Sequence, residues 1–163
     1  MIGIRGLDGF GLIHVFFGLA AMALGLLVVI GTKGTRRHRL IGRGYVAAMI
    51  LLNATALMIY DLSGRFGPFH VAALISLATL SAGFVPAFLR RPRVGWMPLH
   101  GTFMSWSYVG LLAAFLSEVA TRVPGMDFGV GVIAATVIVV AGGVVLIHTR
   151  VPKILKRLAR PAI

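Results

Sequence analysis

Histidine is the side chain here with the widest chemical reach, because imidazole ligates metals, relays protons and changes charge near neutral pH. The chain carries five. Four fall near the ends of successive apolar stretches: His14 early in the first, His38 at the head of the second, His70 early in the third and His100 early in the fourth. Consecutive membrane helices run antiparallel, so this placement stacks His14 with His70 at one membrane face and His38 with His100 at the other. At a rise of ~1.5 Å per residue the two pairs lie roughly 20–25 Å apart. That span is too long for one shared metal ion and suits two flat macrocycles, each held by two axial nitrogens from facing helices. The cofactor expected on this reading is haem b, one or two per chain.

A macrocycle between helices needs side-chain-poor surface beside its ligands. Gly18 lies four residues after His14 and Gly42 four after His38, each one turn along on the histidine's face. Ala73 and Ser107 stand similarly to His70 and His100, although ordinary helix packing enriches the same small residues. A second chemistry stays open: Glu118, near the end of the fourth stretch, completes a His14/His70/Glu118 set suited to zinc, copper or non-haem iron at the external face. A third account makes the histidines structural, in a subunit or assembly factor of a respiratory complex. His38 lies among Arg36, Arg37 and Arg39, which fits a solvated interfacial position as well as a ligand. His148, at the end of the fifth stretch beside Arg150, is expected to complement a helix C-terminus and to ligate nothing. Asn53 and Thr55 read as hydrogen-bonding partners between helices, and Met104 as core filling.

The elements that must position these residues are membrane helices. Of 163 residues, 58% are apolar and 12% charged, with a mean hydropathy of +0.95, values of a polytopic membrane protein. Five stretches have the roughly 20 apolar residues that a ~30 Å hydrocarbon core demands: 11–30, 39–60, 70–89, 97–119 and 130–148. The fold class expected is therefore all-α, an integral membrane bundle of five transmembrane helices over 1–150, its histidine-bearing four-helix core spanning 10–122. A basic cytoplasmic tail, 151–163, follows, either frayed or lying as a short helix on the membrane surface. The first stretch is too long for a signal-peptide core and lacks a small-residue cleavage site, so it reads as a retained span. Glycine and proline clusters make all four connections short, which sets sequential helices side by side. Helices one and two resemble helices three and four weakly, as two hairpins related about an axis along the membrane normal.

The absence of cysteine excludes disulfides, iron–sulfur clusters and thioether-linked haem. The net charge of +12 is explained by its distribution. Thirteen of the sixteen basic residues fall after the first, third and fifth stretches, while Arg5, Arg65 and Arg122 share the opposite face with all four acids, Asp8, Asp61, Glu118 and Asp127. The positive-inside rule then gives an external N-terminus and a cytoplasmic C-terminus. The expected partners are the lipid bilayer, a quinone or redox protein, and a respiratory complex or second copy docking through helix five. No nucleic acid is among them.

Certain runs resemble a known family: His14-x-x-x-Gly18, Lys33-Gly34 followed by His38-Arg39-x-x-Gly42-Arg43-x-Tyr45, Phe69-His70, and Trp96-x-x-x-His100 with Ser107-Tyr108. They are similar to the prokaryotic membrane proteins grouped as domain of unknown function 2306, over about Ile13 to Arg122, with helix five and the tail outside. That resemblance implies a multi-pass protein of a prokaryotic inner membrane and carries over no activity. A looser architectural likeness, resting on histidine placement alone, is to transmembrane diheme b-type cytochromes, whose four-helix core holds two haems through paired histidines. It implies an electron carrier or oxidoreductase.

Overall fold

The computed structural model describes residues 9–59 and 65–158. Five helices follow in order: α1 (Gly9–Ile30), α2 (Arg36–Met58), α3 (Pro68–Leu89), α4 (Trp96–Ala120) and α5 (Phe128–Leu158). All five are long and apolar enough to cross a membrane. No strand occurs among the described residues, so the expected all-α fold is found. Large apolar side chains such as Phe16, Ile75 and Ile138 are exposed along these helices, as a bilayer-facing surface requires.

Local chemistry sets the helix ends. Thr35 caps α2, its Oγ1 accepting from the His38 backbone N–H at 3.1 Å. The cap starts α2 at Arg36, three residues before the expected Arg39, and places His38 in the first turn. Asp127 caps α5 by accepting from the Val130 N–H at 3.0 Å. Gly34 and Gly95 adopt φ of +78° and +106° in the connections before α2 and α4, a region open to glycine. The last helix departs most from expectation. It runs ten residues past His148, through Pro152, so the first part of the expected tail is helix and continuous with the span. Residues 159–163, the rest of that tail, lie outside the described residues, as do Arg5, Asp8 and Asp61.

The chain divides within α3 into two compact units, one ending at Leu77 and one beginning at Ala78. In the first, α1 packs on α2. Ala21, Tyr45, Val46, Met49 and Leu52 are buried, and buried Asn53 donates to Met49 O at 2.7 Å within α2 itself, not to a neighbouring helix as expected. In the second, α4 packs on α5 around Leu111, Ala113, Gly131, Gly143 and Ile147. Gly83 of α3 lies against α4 so closely that a Cβ there would stand 2.9 Å from the Met104 backbone nitrogen.

Candidate functional site

The four histidines are held in different ways, and the differences decide which ring nitrogen carries a proton. His14, half-buried on α1, lies with Nδ1 3.0 Å from Thr55 Oγ1 on α2. Thr55 directs its single hydroxyl proton to the α2 backbone, at 2.8 Å from Leu52 O and 3.0 Å from Leu51 O. Its oxygen is then the acceptor, His14 donates from Nδ1, and Nε2 carries the lone pair. This is the interhelical role expected of Thr55.

His100 reaches the same tautomer by another route. Its Nδ1 stands 3.0 Å from Gly83 O on α3. A carbonyl only accepts, so Nδ1 is protonated and Nε2 again carries the lone pair. Gly83 makes this possible, since only a residue without a side chain lets α3 approach Met104 so closely. The glycine has no special spacing to a histidine in the sequence, and its role was invisible there. The Met104 side chain, half-buried, stands beside Gly83, its Cγ and Sδ 3.0 Å from where a Cβ would lie.

His70 is reversed. It is buried, stacked at 4.9 Å on Phe66, and its Nδ1 accepts from the Gly67 backbone N–H at 3.1 Å. Gly67 precedes Pro68, the first residue of α3, so His70 reaches back from the third helical position to the cap residue. Glutamate or glutamine makes that reach in a capping box. The bond fixes Nε2 as the protonated nitrogen, shielded from solvent. His38 occupies the equivalent third position of α2 but is bonded at its backbone N–H, and its Nδ1 is shielded. His148 is exposed and turns Nδ1 to Val144 O at 2.9 Å.

The small residues beside the histidines also differ. A Cβ on Gly18 would meet Leu52 Cδ1 at 3.5 Å, so a side chain of α2 already covers it, whereas nothing lies within 4 Å of one on Gly42. Glu118 belongs to the second unit and pairs with Arg122 at 2.8 Å. Within neither unit do three His, Asp or Glu side chains gather as a metal centre among the described residues.

Helical fold, apolar exterior and span lengths define a polytopic α-helical membrane protein. Within that class the chain belongs to the family of predicted membrane proteins DUF2306, whose family model matches residues 11–155. The match corrects the expected extent: α5 and the start of the basic extension lie inside the family, which does not stop at Arg122. Comparisons with curated proteins and with solved structures returned no match.

Proposed function

We propose that the protein is an integral membrane b-type cytochrome that moves electrons across or within the membrane. The observation that carries this reading is the shared tautomer of His14 and His100: each gives its Nδ1–H to an oxygen on a neighbouring helix and keeps its lone pair on Nε2. Ligating histidines are oriented in this way, the outer bond fixing the ring and raising its basicity. His14 and His100 are each assigned to iron, one near each membrane face. Haem bound there supplies one-electron chemistry, while Thr55 and Gly83 hold the ligand rings in place. The positive-inside charge pattern supports an orientation with the N-terminus outside and the C-terminus in the cytoplasm, and the family resemblance supports a prokaryotic inner membrane.

His70 supports a second ligand role less well, because its Nδ1 is engaged in capping α3. Protein purified after expression with haem supply is expected to show a Soret band, with iron at one or two per chain. His14→Ala and His100→Ala should each remove absorbance. His70→Gln preserves the reach to Gly67, so a variant that keeps both its stability and its Soret band assigns His70 to the cap alone. Loss of the band with stability intact assigns it to iron. Colourless wild-type protein without iron would end the haem reading.

A further inference from the structure

The α4–α5 pair contains a cavity of about 210 Å³ that the haem reading does not use. Thr102 and Trp106, one turn apart, form its α4 wall; His148, Val151, Pro152 and Leu155, at helical spacing, form the α5 wall. Two hydrogen-bond acceptors sit at this wall. His148 has its Nδ1–H engaged with Val144 O at 2.9 Å, which leaves the lone pair on Nε2. Pro152 has no amide hydrogen, so the His148 carbonyl lacks its regular helical donor beside the proline ring.

A ligand that engages these two acceptors must bring a donor, and one that also meets the Thr102 hydroxyl and the Trp106 indole N–H, both able to donate, must accept as well, which a hydroxyl does. A phosphodiester has no donor, whereas a hydroxyl supplies one. The walls favour a flat ring, with the Trp106 indole on one helix and the Pro152 ring on the other. Size agrees, since an apolar cavity of about 150 Å³ already takes up benzene and this one has room for a substituted single ring.

We propose that this cavity binds a membrane-soluble aromatic diol of the quinol class, its ring against Trp106 and one hydroxyl donating to His148 Nε2. The site rests on the cavity alone and not on His14, His38, His70 or His100, so either reading can fail without the other.

The test is calorimetric titration of the full-length protein, in nanodiscs of a neutral phosphatidylcholine, with durohydroquinone under anaerobic reducing conditions. Saturable binding is expected, weakened at least tenfold by His148→Leu and abolished by the cavity-filling Leu155→Trp. The dimethyl ether of the same quinol, which has the ring without donors, should also bind at least tenfold more weakly. Melting temperatures close to wild type for both variants exclude misfolding as the cause. The proposal is overturned if the ether binds as well as the diol, if Leu155→Trp leaves binding unchanged, or if phosphatidylglycerol saturates the cavity and the diol does not displace it.

Discussion

The α1–α2 and α4–α5 pairs are both built from long helices of apolar residues, yet they are held by different physics. At α1–α2 the close contacts are forgiving: Gly18 faces the far end of Leu52 at 3.5 Å and Gly44 that of Leu24 at 3.4 Å. What specifies the pair is polar, in the His14–Thr55 bond. At α4–α5 the packing itself is exacting. A Cβ on Gly143 would stand 2.6 and 2.7 Å from the two Val109 methyls, and one on Gly131 3.4 Å from Ala120 Cβ at the end of α4. In a bilayer, where apolar burial gives helices little reason to associate, these are the two available devices, small residues that admit close approach and hydrogen bonds between helices. One region can therefore be broken by a methyl group and the other by removing a proton donor.

The largest effect is expected from the glycines of the second unit. Gly143→Ala should lower unfolding stability by about 1–3 kcal/mol through overpacking, measured by denaturant titration in detergent, and Val109→Ala in the same chain should restore most of it. Gly83→Ala is expected to cost a similar amount, but Met104→Ala should not rescue it, because the nearest atom is the Met104 backbone nitrogen. The same Gly83 substitution displaces the carbonyl that orients His100, so on the haem reading it also lowers Soret absorbance. Equal rescue of both glycines would erase the distinction between a side-chain and a backbone obstacle.

A smaller effect tests the polar device of the first unit. His14→Ala and Thr55→Val, combined in a double-mutant cycle, should show a coupling of about 0.6 kcal/mol and no more than ~1.7 kcal/mol, the range for hydrogen bonds between membrane helices. Strictly additive losses would mean that the bond contributes nothing and that the α1–α2 pair depends on shape after all. Gly18→Ala is the companion measurement, expected to fall well short of Gly143→Ala.

Sequence reading reached the number of helices, their class and the interhelical use of Thr55, because span length and hydropathy are dictated by the bilayer and leave a strong local signal. It missed what depends on partners distant in the chain. The tautomers of His14 and His100 are set by a hydroxyl 41 residues away and a carbonyl 17 residues away, and neither is encoded in the residues around the ring. The capping role of His70, by contrast, is carried by the local sequence. The run Gly67-Pro68-Phe69-His70 has proline at the first helical position and a side chain with an acceptor at the third, a capping pattern in which histidine stands where glutamate or glutamine is usual. The end of α5 was misplaced since Pro152 and the following basic residues resemble a terminus, although proline within a helix removes one hydrogen bond without stopping it.

The smallest expected effect concerns Lys33, which closes the end of α1 in the first unit. The Lys33 ammonium donates to Val28 O at 2.7 Å, Val29 O at 2.6 Å and Gly31 O at 2.9 Å, closing the C-terminus of α1 with a cation at the negative end of its dipole. Lys33→Met should cost no more than about 1 kcal/mol near neutral pH, because loss of the bonds to the three carbonyls is partly offset by relief of the cation's desolvation. Burial also draws the Lys33 pKa below its ordinary 10.5. The folded chain thus sheds this proton at lower pH than the unfolded one, and in the window below 10.5 the unfolded state holds more protons. Stability then rises with pH across that window as the desolvation of the cation is relieved. The slope, measured as the difference between wild type and Lys33→Met so that other lysines cancel, should be positive; a flat or negative difference would mean that the three carbonyls outweigh desolvation and that the cap holds its proton more tightly than water does.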